Sequence, residues 1–137
     1  MSTNREVITD ALIQLTVLDA NETASVEDAM LGLRVMNRMF AMLVVDGIDL
    51  GYPPQDSLSD DFPLDETAQA QIHYLLAAAL SPSYPASRPD PTVFALAASA
   101  RAQLLRTAVL ANREMSSVTH APLGERSAWV YDISTDE

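Results

Sequence analysis

The sequence predicts an all-α protein: a four-helix bundle with a long acidic loop between helices 2 and 3 and an extended C-terminal arm. Three observations lead to this prediction. Apolar residues recur at steps of three and four over four stretches, the period of one helix face. Residues that cap helices precede these stretches, and the helical period stops before the C-terminal tail. We expect residues 1–112 to form one helical domain and residues 113–137 to form the arm.

Helix 1 is predicted to begin after Thr3, because Glu6 stands three residues further on and completes a capping box. Its apolar residues repeat at helical spacing, which places them on one buried face. That face consists of Val7, Ile8, Ala11, Leu12 and Leu15.

Helix 2 is predicted between an N-cap at Ser25 and a left-handed turn at Gly47. Its first apolar face consists of Ala29, Leu33, Met36, Phe40 and Leu43, and a second apolar set consists of Leu31, Val35, Met39 and Met42. An apolar surface this wide needs cover from more than one side. We therefore expect helix 2 to be the buried central helix, with Val35, Met39 and Met42 in contact with a second subunit.

The loop between helices 2 and 3 is stiffened by prolines and charged by aspartates. A loop this long in a small domain is usually functional or disordered. Four apolar or aromatic residues can anchor it, namely Leu50, Tyr52, Leu58 and Phe62, so we expect an ordered loop with a short pair of strands. Leu50 and Tyr52 are candidates for contact with a partner.

Helix 3 is predicted from the N-cap Asp65 to about Leu80, where Pro82 stops it. Helix 4 begins at Asp90 and Pro91, a cap followed by proline at the first helical position. The inward residues are Ala68, Ile72, Leu75, Leu76 and Ala79 on helix 3, and Val93, Ala97, Ala100 and Leu104 on helix 4, with Phe94, Ala98 and Leu105 beside them.

The arm contains a predicted short strand at residues 128–133, in which Trp129, Tyr131 and Ile133 share one face. Exposing the chain's one tryptophan is costly unless another surface buries it. The arm is therefore expected either to fold back onto its own bundle or to dock on a partner, and these three residues are the candidates for that contact.

The composition narrows the possible functions. The 137 residues include no cysteine and carry a formal net charge of −11. The missing cysteine excludes disulfides, cysteine–zinc sites and thiol catalysis, and the acidity disfavours tight binding to nucleic acid or to anionic lipid. Without a recognisable leader or transmembrane run, we expect a soluble, cytoplasmic chain with no membrane partner.

Catalytic, cofactor and metal sites are not expected. His73 beside the apolar face of helix 3 is most simply a structural histidine, and the four glycines are too far apart for a phosphate-binding loop. Asp60 and Asp61 are adjacent carboxylates that acid–base chemistry could use, but a solvated loop explains them better, because nothing near them in the sequence would raise one pKa and leave the other low. An enzyme is the weaker interpretation.

A series of short motifs resembles the head-to-tail adaptor family of tailed phages, the tail accessory or packaged-DNA stabilisation proteins of short-tailed phages. The series covers about residues 3 to 110. Its members are ETASVE at residues 22–27, MNRMF at 36–40, LGYP at 50–53, FPL at 62–64, IHYLLA at 72–77, SPSY at 81–84 and Asp90-Pro91.

The resemblance implies a homo-oligomeric ring, typically of twelve copies, that docks beneath the portal of a filled capsid in the virion. The ring would extend the DNA channel without gripping DNA, retain the packaged genome and present a platform for the tail and nozzle proteins. In that setting Trp129, Tyr131, Ile133, Leu50 and Tyr52 bind the portal. The candidates for lining the channel are Asp46, Asp49, Asp56, Asp60 and Asp61.

Three other interpretations remain open. The adaptor of a long-tailed phage also lies under a portal and differs in the tail machinery below it. A cell-wall hydrolase would use the loop carboxylates Asp60 and Asp61. A free acidic helical protein could inhibit a DNA-binding partner by mimicking DNA, and such a protein would stay monomeric.

Overall fold

The computed structural model describes the backbone of residues 2–120 and the side chains of residues 2–110. Its elements are α1 (Asn4–Gln14), α2 (Val26–Val45), α3 (Glu66–Leu80), a 3-10 turn (Ser81–Ser83) and α4 (Thr92–His120). Within these residues there is no strand, only an isolated antiparallel bridge between Thr3 and Asp61. The predicted all-α class with four helices is confirmed, and the expected strand pair in the loop reduces to this single bridge.

Each helix begins where the sequence supplies a capping side chain. Thr3 Oγ1 accepts from the Glu6 amide, and the Glu6 carboxylate accepts from the Thr3 amide at 2.7 Å, which completes the capping box. Ser25 and Asp65 accept from the amide three residues further on, and Asp90 Oδ1 accepts from the amide two residues further on. These oxygens satisfy amides that have no partner inside the helix.

The central helix is α3, which contacts each of the other three helices. The expectation that α2 is central is wrong. Only one face of α2 is buried, and Met42 and Val45 are 63% and 79% exposed. Small side chains explain the position of α3, because its alanines allow helices to approach it from several sides.

The predicted stripes supply most of the core, but the stripe on α3 is partly wrong. Ala77 and Leu80 are buried there together with Ile72 and Leu76, whereas the predicted Ala68, Leu75 and Ala79 are only partly buried. Helices α1 and α2 cross where Gly32 of α2 faces Ile8 of α1, which is fully buried. A Cβ atom at Gly32 would overlap Ile8 Cγ2 and lie 3.3 Å from Ile8 Cγ1, so the crossing needs glycine. The largest fully buried apolar residues are Val7, Ile8, Leu12, Leu15, Met36, Ile48, Phe62, Ile72, Leu76 and Leu80.

Residues 46–65 connect α2 to α3 and lie against the start of α1. The Asn4 amide donates to the Asp60 carbonyl at 2.9 Å, and the Arg5 amide donates to the Leu58 carbonyl at 3.1 Å. Backbone carbonyls of this segment therefore satisfy first-turn amides of α1. The Phe62 side chain, 1% exposed, fixes the segment to the core.

Helix α4 runs antiparallel to α3 and extends past the first turn of α3. Gln71 of α3 bonds to Gln103 of α4, and Thr67 lies across a cleft from Thr107. We expected helical structure to stop at about residue 112, but α4 continues to His120, so residues 113–120 are helical and not extended. Serine and threonine cost a helix only about 0.5 kcal/mol each, and Pro122 is the first residue that forbids continuation.

Candidate functional site

A groove with an apolar floor opens on the side of the domain where α2, α3 and α4 meet, and its lining also includes the charged Arg38, Asp46 and Arg101. Its volume is about 330 Å³. Val35, Met39 and Met42, the residues predicted to contact a second subunit, all line it, together with Leu75 and Ala79 of α3. We call these five residues the α2 groove.

The α2 groove is only partly covered by the chain itself. Val35 and Met39 are half-buried against the core, whereas Met42 is 63% exposed. Arg101 of α4 forms an ion pair with Asp46 at the C-terminal end of α2. Both side chains are nearly half exposed, and pairs of this kind typically contribute about 0.2–1 kcal/mol. The pair thus joins α4 to the end of α2 and leaves the groove open.

A second apolar surface runs along the outer side of α4. Phe94, Leu105 and Val109 are 43%, 37% and 46% exposed, and exposed alanines at positions 98 and 102 lie between them. At 100° per residue these five positions fall within an arc of about 80°. We call Phe94, Ala98, Ala102, Leu105 and Val109 the α4 stripe. It is distinct from the buried stripe of Val93, Ala97, Ala100, Leu104 and Ala108.

The α4 stripe makes this helix unusual in composition. Residues Thr92–Leu110 form a segment that is long and apolar enough to cross a membrane, judged by length and composition alone. The expectation that the chain contains no such run is therefore wrong. Core helices of soluble proteins also meet these criteria of length and composition. Here one face of α4 packs on α3, so the segment is partly committed to the domain interior.

Tyr52 anchors the segment between α2 and α3 onto α2. Its ring stacks on Phe40 with a centroid distance of 3.8 Å and an interplanar angle of 8°. Its hydroxyl donates to Asn37 Oδ1 at 2.7 Å, and burial raises the pKa of the phenol. Leu50 is half-buried and lines a cleft with Leu64. Both candidate partner residues thus make contacts within the chain, and binding of a partner by Leu50 or Tyr52 stays a prediction.

A polar network that the sequence analysis missed holds the same segment. Asn37 Oδ1 also accepts from the Gln55 amide at 3.1 Å, and Asn37 Nδ2 donates to the Gln55 carbonyl at 2.8 Å. From α1, the fully buried Asn4 donates to Gln55 Oε1 at 3.0 Å and to the Ser57 carbonyl at 2.9 Å. The sequence offered little signal for this network, because Asn4 stands among polar residues at the start of α1 and Asn37 stands next to Arg38.

All five aspartates proposed to line a channel are exposed. Asp46 pairs with Arg101, and Asp49 Oδ1 accepts from the Gly51 amide at 3.0 Å. Asp60 and Asp61 instead lie opposite the first residues of α1. In the described part of the chain, no three acidic or histidine side chains come together as a metal-binding group.

His73 lies on α3 in a shallow pocket with Asp10 and Glu66. Its Nδ1 atom is 3.3 Å from the Gln69 carbonyl, and its ring lies 4.0 Å from the ring of Tyr74. Burial raises the pKa of Asp10, and the nearby His73 partly offsets this shift. A structural role for His73 stays a prediction.

The arm residues Trp129, Tyr131 and Ile133, with the predicted strand that carries them, lie outside the described residues. The predicted sites that the structure does describe are therefore the α2 groove, the anchored segment 46–65 and its aspartates. Comparison of the chain with protein-family models and with curated proteins finds no match.

Proposed function

We propose that this protein is a structural subunit of the head-to-tail connector of a tailed phage, which assembles into a ring beneath the portal. The observation that carries the proposal is the pair of apolar surfaces, the α2 groove and the α4 stripe, that the four helices leave open. Contiguous apolar surface on a small domain commonly marks an interaction site. The motif series from residue 3 to residue 110 directs that interaction toward a connector ring.

The parts of the chain have separate roles in this proposal. Val35, Met39 and Met42 belong to the contact between neighbouring subunits, as their position in the α2 groove favours. A head-to-tail contact of this kind generates a closed ring when the rotation between copies closes. Trp129, Tyr131 and Ile133 attach the ring to the portal, and the opposite end of the ring receives the tail.

The acidity of the chain supports a passage for DNA that does not bind it tightly. With a net charge of −11, the ring as a whole repels phosphate. The channel-lining candidates are Asp46, Asp49, Asp56, Asp60 and Asp61, and all five are exposed. Asp46 is the weakest of them, because it already pairs with Arg101 beside the α2 groove. The proposed protein acts in the virion as a structural component, without catalytic residues and without a cofactor.

Electron microscopy of the purified protein, alone and mixed with portal, tests the proposal directly. We expect closed rings that cap the portal, and light scattering that reports a mass many times that of one chain. A protein that stays monomeric at high concentration and ignores portals would refute the connector function.

Truncation after His120 tests the role of the arm. It removes Trp129, Tyr131 and Ile133 but leaves every described helix intact. We expect unchanged helical content by circular dichroism, unchanged ring formation and loss of portal binding. If the truncated protein still caps portals, the arm does not make that contact.

Charge reversal tests the channel. Changing Asp60 and Asp61 to arginine should make the assembled connector retain DNA in a salt-dependent manner, since phosphate contacts release counterions. The matched control reverses Asp19 and Glu27, two exposed acids outside the segment between α2 and α3. Equal DNA retention by both variants would remove Asp60 and Asp61 from the channel.

A further inference from the structure

We infer that the α4 stripe of one copy packs into the α2 groove of another copy of this chain. The inference rests on the proposed ring and identifies which two surfaces meet in it. The sequence predicted that Val35, Met39 and Met42 of the α2 groove contact a neighbouring subunit. It did not indicate which surface of the neighbour they contact.

The shapes of the two surfaces support this pairing. The α4 stripe spans about 22 Å from Phe94 to Val109, and the row of α2 residues from Val35 to Asp46 spans about 16 Å, at 1.5 Å per residue. Ala98 and Ala102 lie between the larger side chains of the stripe and allow a close approach between helices. Methionine side chains in the groove adapt to the shape of what enters.

Helix α4 also differs in charge from the rest of the chain. Residues 1–91 carry fourteen acidic residues and four arginines, a net charge of −10. Residues 92–120 carry three arginines and one glutamate, a net charge of +2, and no acidic residue lies between Asp90 and Glu114. Arg101 and Arg106 flank the α4 stripe without an acidic neighbour on the helix, which favours the acidic body of a second copy as its partner. The α2 groove itself is not acidic, since its charged lining consists of Arg38, Asp46 and Arg101.

A lipid surface is a poorer occupant for the same stripe. The negatively charged body would be repelled by anionic lipid. Insertion of α4 across a bilayer would also require the buried stripe, with Val93 and Leu104 at 4% exposure each, to leave α3. A second copy can bury the α4 stripe while α4 stays packed on α3.

Cysteine cross-linking tests the pairing, because the chain has no native cysteine. The Met42→Cys and Leu105→Cys variants are purified separately, mixed and treated with a short thiol-reactive bifunctional cross-linker. Using one cysteine per chain makes every cross-link intermolecular. We expect a covalent pair containing one chain of each variant.

Val44→Cys and Leu96→Cys are the matched control pair. These residues are 51% and 43% exposed, on the same two helices but on other faces. We expect them to cross-link at least tenfold less than the first pair. Equal cross-linking of both pairs, or cross-linking only between two Leu105→Cys chains, would overturn the assignment.

Substitution by arginine separates this inference from the proposed ring. Leu105→Arg should weaken self-association by about 30-fold or more, the effect of losing one central interface residue, whereas Leu96→Arg should not. If Leu105→Arg still forms rings and the Met42–Leu105 cross-link is absent, the contact between groove and stripe is refuted but the proposed ring is not. If the unmodified chain is monomeric at high concentration, the contact and the ring are both refuted.

Vesicles of anionic phospholipid test whether a lipid surface covers the α4 stripe instead. Flotation of the unmodified protein with such vesicles, lost in the Leu105→Arg variant, would assign the stripe to lipid and overturn the inference. We expect the protein to stay in the soluble fraction.

Discussion

Replacing Gly32 by alanine tests the crossing of α1 and α2. Gly32 is buried, and the added methyl group would overlap Cγ2 of Ile8. Ile8 is fully buried and β-branched, so its side chain has one strongly preferred rotamer in a helix and cannot turn aside cheaply. The two helices must therefore separate locally, or Ile8 must leave its rotamer.

Two opposing terms set the size of the effect. Overpacking a core costs about 1–3 kcal/mol, whereas alanine favours a helix interior over glycine by about 1 kcal/mol. We expect Gly32→Ala to lower the free energy of unfolding by about 1 kcal/mol. Urea denaturation followed by far-ultraviolet circular dichroism, at a protein concentration low enough to limit self-association, measures this difference.

A double-mutant cycle with Ile8→Ala isolates the contact. In that background the methyl group lies 3.4 Å from the remaining Cβ of residue 8, an ordinary van der Waals contact, so Gly32→Ala should raise the free energy of unfolding by about 1 kcal/mol through helix propensity. The sign of the effect thus reverses, with a coupling of about 2 kcal/mol, within the range found for residues in contact. If Gly32→Ala stabilises the unmodified protein as well, the helices do not cross as closely as described.

Three further predictions concern the segment between α2 and α3 and the pH dependence. Phe62→Ala should lower the free energy of unfolding by about 3–5 kcal/mol, since the ring is almost fully buried. It should also speed hydrogen exchange at the start of α1, and unchanged exchange would contradict this anchoring role. Tyr52→Phe keeps the stacked ring but loses the hydrogen bond to Asn37. Denaturation should therefore show a free energy of unfolding lower by about 0.5–1.5 kcal/mol. An unchanged value would show that the bond does not stabilise the fold. Burial, with the Asp28 hydrogen bond, raises the pKa of Tyr84 from 10.0 to about 12. The native state then holds this proton more tightly, so the stability it contributes is complete below pH 10 and is lost as the pH rises through 12. Tyr84→Phe should reduce that alkaline loss in denaturation curves measured across this range.

The sequence predicted the features that local rules determine. The caps at Thr3, Ser25 and Asp65 depend on groups three residues apart, and the buried stripes depend on steps of three and four. The left-handed backbone at Gly47, with φ of 91°, follows equally from residue type. These interactions act within one turn of chain, so the sequence pattern reports them directly.

The features that were not predicted depend on residues far apart in the chain. Asn37 and Gln55 meet across 18 positions, and no local pattern shows that an amide on α2 will hold a distant loop. The central position of α3 depends on how all the helices pack together. The α2 groove was correctly expected to be apolar, but the structure was needed to show that Met42 is left open while Val35 and Met39 are half-buried.

The length of α4 has a geometric consequence. Thr107 lies opposite the first turn of α3, and thirteen more helical residues follow up to His120. At 1.5 Å per residue they form a rod of about 20 Å. His120 therefore lies about 20 Å beyond Thr107 along the helix axis, so α4 projects well past the end of α3 on which it packs.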